Sequence, residues 1–407
     1  MTSRYQQLVQ DAERAGLLDG QNGHQPEITS PWKASRDDVL SVVRHWLWLE
    51  DVLALDILLA VCISNAMPGD PVWLFLIAPP GGTKTELLRA FQGPHVVSTS
   101  TLTPQTLISG LKGDPTKTDL MSRLDGKLLI IKDGTSILAK KPEDQAAIFS
   151  DLREAYDGYL EKSFGSGVGT KAYAARFTLL MGMTPAIDGY RTIHSLLGER
   201  FLRVGIQSNP ELAIRKASEG AGHESEMREE MAQAFGGFLA QYSAEAPSYS
   251  DAPIPSDILE QIRAVGDITA KLRSGVARDR HHSVLYVSEP EIGTRLTKQL
   301  LKLCRAATCL YGHREASKDE LALVHRVATD SIPRARMSLA RALFNSKDFT
   351  TSRHLGDMAT LPTSSATTHL EDMWVLGLVE RKGEGTNFVW RANAETVDLL
   401  SRSGLDA

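Results

Sequence analysis

The sequence predicts an α/β fold built on a five-stranded parallel sheet, with smaller helical units after it. Short apolar runs indicate buried strands, as in VWLFLIA at 72–78, KLLIIKD at 127–133 and RFTLLMGM at 176–183. Segments with helical spacing lie between these runs, and such alternation is typical of a parallel sheet. A chain of 407 residues also exceeds one comfortable hydrophobic core, so we expect more than one domain.

The remaining elements of the core follow in order. Apolar residues recur at helical spacing from Asp37 to Met67, and PGDP at 68–71 ends that helix before the first strand. GGTKTELLRAF then predicts a helix, HVVS a short strand and TPQTLISGL at 103–111 another helix. After the KLLIIKD strand we expect a helix at about 142–156, a Gly-rich hairpin around FGSGVGT and, as the fifth strand, FLRVGI.

Composition suggests four parts. Residues 216–250 are polar and charged, and DAPIPSD at 251–257 marks a boundary before three helices at about 257–274, 293–311 and 317–331. The predicted domains are an N-terminal arm at 1–36, a core at 37–215, a linker and helical lid at 216–332, and a last unit at 333–407.

Charge and hydropathy exclude several classes of protein. The net charge of -5 restricts any nucleic-acid contact to a local surface. The first 20 residues lack the apolar core of a signal peptide, and the most apolar run, Val52 to Ile63, is too short to span a membrane. We therefore expect a cytoplasmic protein without a membrane partner. The three cysteines lie in apolar helical contexts and are expected to be buried free thiols.

The strongest chemical motif follows the first strand. Ala78-Pro79-Pro80-Gly81-Gly82-Thr83-Lys84-Thr85 opens a helix, which is the context in which backbone amides wrap a triphosphate. The candidate nucleotide-binding residues are Pro80, Gly81, Gly82, Thr83, Lys84 and Thr85. Lys84 would neutralise the β and γ phosphates of ATP, and Thr85 would offer a hydroxyl to Mg²⁺. Ala78 and Thr83 stand where glycines are usual, so an ordinary Gly-Pro turn before a capped helix remains the alternative.

A single acid ends the second apolar strand. Asp133 is expected to hold Mg²⁺ or to activate water, the two acidic roles in an ATPase of this kind. Its neighbours Lys132 and Gly134 supply no second carboxylate, so hydrolysis is expected to be weak. The alternative is an Asp that caps a turn at the strand end.

Taken together, these motifs resemble the AAA+ ATPases, and most closely the minichromosome-maintenance helicases and their relatives in phages and mobile elements. The resemblance covers roughly residues 40 to 390 and implies an AAA+ core, a helical lid and a C-terminal winged helix. It also implies an insert at 101–126 and a hairpin at 159–177 that line a central pore. In the family a basic residue at the hairpin tip touches DNA, which favours Lys171 over Lys162 here. A solvated hairpin with an incidental Lys is the alternative.

The resemblance assigns three further roles in catalysis. Thr184 would sense the γ-phosphate, at a position where relatives generally carry Asn. Arg200 in SLLGERFLRV matches the Arg that reaches across a subunit boundary, and Arg295 lies on a segment similar to the second sensor helix, which puts it near the nucleotide. An arginine that acts from another subunit implies a ring, which has six members in the family.

The last unit is predicted to be a winged helix. Three helices at 334–345, 350–359 and 363–379 precede ERKGEGTNFVWRA, whose Gly-rich turn would form the wing. The candidate DNA contacts are Ser365, Thr368, Arg381 and Lys382, and the expected core is Leu339, Leu343, Leu355, Leu370, Trp374, Leu376 and Val379. A winged helix that binds a protein is the alternative. The pair His281-His282 is expected on a surface hairpin and not at a metal.

The resemblance implies an ATP-driven DNA motor or replication initiator that assembles as a ring and works with replication proteins. The alternative is a non-motor ATP-binding regulator, or a defence ATPase, whose winged helix docks on DNA or a partner protein. Thr83, Lys132 and Gly134 favour the regulator, because each departs from an efficient nucleotide site.

Overall fold

A parallel sheet of five strands forms the centre of the protein. The computed structural model describes residues 33–81, 83–165, 168–189, 200–279, 283–285, 289–383 and 387–406. The first seven strands are β1 (Trp73–Ile77), β2 (Val96–Thr99), β3 (Leu128–Ile131), β4 (Tyr159–Phe164), β5 (Gly169–Ala174), β6 (Thr178–Met183) and β7 (Phe201–Gly205). The central sheet has the order β2-β3-β6-β1-β7, and all four neighbouring pairs run parallel. The predicted five-stranded parallel sheet is confirmed.

Both faces of this sheet are covered, which explains its continuous apolar runs. β1, β3 and β6 are buried at every residue. Alternate side chains enter two separate clusters: Leu74, Ile130 and Leu180 lie on one face, and Phe75, Leu129 and Leu179 on the other. A parallel sheet needs helical crossovers on its faces, and these supply the apolar cover.

Six helices lie in the first part of the core: α1 (Arg36–Trp46), α2 (Val52–Ser64), α3 (Lys84–Ala90), α4 (Pro115–Thr118), α5 (Thr135–Leu138) and α6 (Pro142–Tyr156). The single helix expected from Asp37 to Met67 is broken in two, because Asp51 caps the start of α2 by accepting from the amide of Ala54.

The helix expected at 103–111 is also wrong. That segment forms turns, in which the Thr106 hydroxyl accepts from the amide of Thr103 and Asp119 accepts from the amide of Ser109 at 2.8 Å. Short polar side chains of this kind compete with a helix for backbone groups.

Five helices follow the sheet: α7 (Pro210–Glu219), α8 (Glu224–Glu245), α9 (Ser256–Arg273), α10 (Thr294–Tyr311) and α11 (Lys318–Ser331). The last three match the predicted lid helices. The segment treated as a polar linker instead contains α8, a helix of 22 residues. Its Phe235 packs edge-on against Phe91 at 4.7 Å between ring centroids, and its Glu230 accepts from the indole of Trp46. α8 therefore belongs to the packed core.

The C-terminal unit contains α12 (Arg334–Ser346), β8 (Thr350–Thr351), α13 (Ser352–Met358), α14 (Thr363–Val375), β9 (Val379–Lys382), β10 (Val389–Ala392) and α15 (Ala394–Ser403). The three strands form an antiparallel sheet in the order β8-β10-β9. Six of the seven expected core residues are buried, but Trp374 is 41% exposed. The expectation for Trp374 was wrong because its ring lies 3.7 Å from the guanidinium of Arg381, outside the apolar core.

A buried ionic cluster joins this unit to the rest of the protein. Asp372 on α14 is 2% exposed and accepts from Arg278, which follows α9, and from Arg336 on α12. One apolar cluster also includes buried residues of every predicted part of the chain, from Ala34 to Leu405. The predicted domains thus share a core.

Two expectations from composition can be compared with the fold. Cys62, Cys304 and Cys309 are buried free thiols, as expected, and burial raises the pKa of Cys304 to about 12. Among the helices of the described ranges, none has both the length and the apolar character required to cross a membrane.

The contact between β6 and the segment after β3 generates a stability prediction. A Cβ at Gly182 would lie 2.6 Å from the carbonyl oxygen of Lys132 and 2.9 Å from Leu88. Gly182→Ala should therefore lower the free energy of unfolding by about 1–3 kcal/mol, the usual cost of overpacking a core. Gly220→Ala is the matched control, since its Cβ would meet atoms only at 3.8 Å and beyond. Urea unfolding followed by circular dichroism measures the free energy of unfolding of both variants. Equal values for the two would contradict the prediction.

Candidate functional site

The loop after β1 begins at the carboxyl edge of the sheet. The amide of Ala78 donates to the carbonyl of Met183 at 3.2 Å, so the chain leaves β1 in register with the end of β6. Pro80 and Gly81 are exposed, and Gly81 has a φ of 78°, a left-handed conformation that favours glycine. Gly82 lies outside the described residues. The carbonyl of Thr83 accepts a hydrogen bond from the amide of Leu87, and this bond closes the first turn of α3.

Lys84 is the buried cation of this loop. It is 7% exposed, and its ammonium donates to the carbonyl of Met183 at 3.0 Å. Burial lowers the pKa of Lys84, and the charge of Asp133 acts in the opposite direction. Within the described residues no carboxylate lies within 4 Å of the ammonium, and its hydrogen-bond partner is a neutral carbonyl. A buried ammonium without a direct ion pair is a favourable site for an anion.

Two other predicted residues reach the same edge. Asp133 follows β3, is exposed, and accepts from the amide of Ser136 at 3.3 Å. Thr184 follows β6, and its amide donates to the hydroxyl of Thr135 at 2.9 Å. Because β6 lies between β1 and β3, the sheet brings Lys84, Asp133 and Thr184 to one edge. Carboxyl ends of parallel strands are where α/β sheets bind ligands.

Close packing leaves no room for a side chain beside Asp133. A Cβ at Gly134 would lie 2.4 Å from the sulfur of Met181 and 2.5 Å from that of Met183. The amide of Gly134 donates to the carbonyl of Gly182 at 2.8 Å, which holds this approach. No cluster of three or more His, Cys, Asp or Glu side chains able to hold a metal occurs in the part of the chain that the structure describes. A second acid at Gly134 would require the side chains of Met181 and Met183 to move.

These groups could hold the phosphates of a nucleoside triphosphate together with one metal ion. The open loop at Pro80 and Gly81 and the uncompensated charge of Lys84 suit phosphate oxygens. The half-buried Thr85 and the exposed Asp133 offer the oxygen ligands that Mg²⁺ prefers, and phosphates and water commonly complete its shell.

Arg200 lies at the opposite edge of the sheet. It immediately precedes β7, whose first residue is level with the first residue of β1. Its guanidinium donates to Asp157 at 2.6 Å and lies 5.7 Å from the ring of Tyr156. The Nε of Arg200 is buried and has no hydrogen-bond partner among the described residues. A five-residue strand spans about 16 Å, so Arg200 is remote from Lys84 of its own chain.

Arg295 accompanies Arg200 at that edge. Its guanidinium lies 3.8 Å from Asp157 and 5.7 Å from the centroid of Tyr156. Tyr156 in turn packs against Trp73, the first residue of β1. Within one chain Arg295 is therefore not beside Lys84, contrary to the expectation that it lies near the nucleotide.

The hairpin lysines are not at the turn. Lys162 in β4 is paired directly with Lys171 in β5, whereas the pair nearest the turn is Phe164 with Gly169. Lys162 donates to the carbonyl of Pro104 at 2.8 Å and forms an ion pair with Asp151. The expected position of Lys171 at the tip was wrong, because the chain adds two more pairs beyond it before it turns.

Asp119 explains why Lys171 is held. Asp119 is 1% exposed and accepts from Lys171, from the hydroxyl of Tyr173 at 2.6 Å and from Ser109. Burial raises the pKa of Asp119, but hydrogen bonds from Tyr173, Lys171 and Ser109 outweigh burial and bring the pKa to about 2. Nothing in the sequence around this Asp singled it out. It fastens the 103–119 segment to the hairpin.

In the C-terminal unit, two cations of the small sheet lie against aromatic rings. Arg381 lies over Trp374 and, at 4.2 Å, over Phe388. Lys382 lies 4.2 Å from the centroid of Phe349. Sequence analysis missed these partners because it placed Trp374 in the core.

The two candidate contacts on α14 are partly buried. Ser365 is half-buried, and the hydroxyl of Thr368 donates to the carbonyl of Ser364 at 3.1 Å. The carbonyl of Thr368 accepts from Arg278 at 3.2 Å. His281 and His282 lie outside the described residues.

Comparison with known proteins adds no family to this geometry. The sequence matches no protein-family model. It also has no significant similarity to any curated protein. Function is therefore inferred from the residues at the two edges of the sheet and on the C-terminal unit.

The Asp119 network generates a pH prediction. The folded-state pKa lies below the usual value of 3.8, so the carboxylate stabilises the fold above that value. The stabilisation, about 2 kcal/mol, is lost as pH falls through about 2. The difference in unfolding free energy between the wild type and Asp119→Asn should thus narrow between pH 5 and pH 2.5 in urea titrations. Asp348→Asn, at an exposed position, should show no such trend. A difference that stays constant with pH would exclude the proposed network.

Proposed function

We propose that this chain is a P-loop ATPase of the AAA+ type, which binds ATP with Mg²⁺ at residues 78–85 and acts on DNA as a ring-forming motor or replication initiator. The placement of Lys84 carries the proposal. Its ammonium is buried at the carboxyl edge without a direct ion pair among the described residues, and the strand order brings Asp133 and Thr184 to that edge. A phosphate would supply the direct ionic partner that this lysine lacks.

Each residue at this edge has a definite role in the proposal. Lys84 binds the β and γ phosphates, and the loop from Pro80 to Thr85 approaches them with backbone amides. Thr85 and Asp133 hold Mg²⁺, which polarises the phosphates when it is bound. Thr184 contacts the γ-phosphate from the end of β6, where its amide is already fixed by Thr135.

The opposite edge would serve a neighbouring subunit. Arg200 and Arg295 share Asp157 and Tyr156, and they are too far from Lys84 to act within one chain. Charge that develops on the γ-phosphate must be met from outside the loop. A ring, with six members by family resemblance, would place this edge against the carboxyl edge of the next subunit.

DNA contact is proposed at the wing, with Arg381 and Lys382 as the main cations and Ser365 and Thr368 as accessory groups. Aromatic rings beside these cations suit stacking with bases as well as contact with phosphates. The exposed face of the β4–β5 hairpin is a weaker candidate for DNA contact, because none of its strand residues is a cation. These residues are Tyr159, Glu161, Ser163, Thr170, Ala172 and Ala174.

A second function, a non-motor ATP-binding regulator, is favoured by Gly134. A side chain at this position would have to displace Met181 and Met183, and the glycine leaves Asp133 without the neighbouring acid that activates water in efficient ATPases. Bound ATP would then switch assembly of the ring, and the winged helix would dock on DNA or a partner protein.

The phosphate loop is tested by Lys84→Ala. The variant should lose ATP binding and turnover, because nothing else in the loop supplies a buried cation. Lys318→Ala, an exposed lysine at the start of α11, is the matched control and should behave as the wild type. ATP affinity by calorimetry and phosphate release both report the effect. Unchanged nucleotide affinity in Lys84→Ala would remove the phosphate-loop assignment.

The same assay separates the two functions. Turnover that single-stranded or forked DNA stimulates, and that Lys84→Ala lacks, identifies a motor. Nucleotide binding without turnover, with or without DNA, identifies the regulator.

The trans role of the arginine edge is tested by mixing subunits. Arg200→Ala and Asp133→Ala proteins should each be inactive, because each lacks one half of every composite site. Their mixture should recover up to about a quarter of wild-type hydrolysis, since only interfaces that pair two intact halves are active. Arg200→Ala mixed with Arg295→Ala is the control without recovery, because both changes affect the same edge. Equal rates in the two mixtures would contradict an arginine acting in trans.

A further inference from the structure

A cavity of about 420 Å³ lies between α10 and the turn that joins α2 to β1. Its walls include Gly69 and Asp70 from that turn and Ser250 and Asp251 from the chain before α9. The turn precedes the first residue of β1, so this cavity is on the edge of the sheet opposite Lys84. It shares no residue with the phosphate loop.

Three cations of α10 line the cavity. Lys298, Lys302 and Arg305 are four and three residues apart, which places them along one face of the helix. None of them has a carboxylate of the described residues within 4 Å; Lys302 and Arg305 donate to backbone carbonyls instead. The two aspartates of the cavity, Asp70 and Asp251, are exposed. Positive charge therefore exceeds negative charge around the cavity.

Lys302 is the buried member of the group. It is 9% exposed, and its ammonium donates to the carbonyls of Asp70 at 2.8 Å and Gly69 at 3.3 Å. Arg176 donates to the same turn through Gly69. Burial and the charge of Arg176 lower the pKa of Lys302 to about 7, although Asp70 acts in the opposite direction.

Ser250 also lines the cavity, but its Oγ is closed off from solvent and has no hydrogen-bond partner among the described residues. The ligand is therefore indicated by the three cations, whose excess positive charge a small oxyanion would compensate.

We propose that this cavity binds a phosphate group, held by Lys298, Lys302 and Arg305. The phosphate comes from a nucleic-acid backbone or from a free phosphate or nucleotide. The site does not depend on the proposed ATPase activity, because its residues are separate from the loop at 78–85.

Binding at this site is coupled to a proton. The charged groups around Lys302 are Arg176 from the segment before β6, Asp70 and Asp251 from the two adjoining turns, and Lys298 and Arg305 from its own helix. An anion stabilises the protonated form of Lys302 and raises its pKa. Affinity should therefore fall as pH rises above about 7, where the free site has lost its proton.

The test measures sulfate binding by calorimetry in the Lys84→Ala protein, which removes any contribution from the phosphate loop. Sulfate stays divalent from pH 6 to pH 8.5, so its own ionisation does not interfere. Affinity should be about tenfold to thirtyfold higher at pH 6 than at pH 8.5, from the proton linkage of one group. Lys302→Arg should bind with little dependence on pH. Sulfate affinity that is independent of pH in the parent protein would overturn the proposal.

The charge of the site is tested without disturbing its buried lysine. The double variant Lys298→Gln/Arg305→Gln should keep its circular dichroism spectrum and lose at least about tenfold in sulfate affinity, the effect of removing two charge-assisted contacts. Lys318→Gln, on a different helix, is the control and should bind as the parent does. A double variant that binds sulfate like the parent would also overturn the proposal.

A second probe distinguishes the source of the phosphate. Binding of a labelled single-stranded oligonucleotide that is lost in the double variant, and kept in Lys318→Gln, assigns the site to a nucleic-acid backbone. Oligonucleotide binding that the double variant leaves intact, together with lost binding of inorganic phosphate, assigns it to a free phosphate. If the double variant binds both the oligonucleotide and inorganic phosphate as the parent does, the site is refuted.

Discussion

The parallel direction of all five strands is the constraint on which the rest of the structure depends. It collects every carboxyl end at one edge and every amino end at the other, so the two edges acquire different chemistry. Lys84, Asp133 and Thr184 follow strand ends and meet at the first edge. Arg200 precedes a strand and lies at the second. An antiparallel pair anywhere in the sheet would mix the two sets.

The backbones of β6 and of the segment after β3 approach closely at the carboxyl edge of the sheet. Gly182 and Gly134 allow β6 to lie against the segment after β3, where a Cβ on either would collide with its neighbours. The same contact places the carbonyl of Met183 within reach of the Lys84 ammonium. Packing in the sheet thus fixes the position of this cation.

The sequence predicted the sheet well because buried parallel strands are continuously apolar, and it predicted the lid helices from their spacing. It failed where a contact distant in sequence decides the local structure. Segment 103–111 has helical spacing but forms turns held by Asp119, and Trp374 looks like a core residue but packs on Arg381. Of the site, the order of strands made Lys84 and Asp133 predictable as neighbours. The close approach at Gly134 and the cavity at Lys302 depend on tertiary contacts that no local pattern carries.

The buried cluster of Asp372 with Arg278 and Arg336 has a consequence for how this protein could have been assembled in evolution. Its three members come from α14, from the chain after α9 and from α12, so two come from within the C-terminal unit and one from before it. Replacing that unit by an unrelated one would leave Arg278 at the junction without Asp372, and burying an unmatched charge is costly. The C-terminal unit is consequently not a freely exchangeable module: a substitute would have to arrive with its own acid at this position.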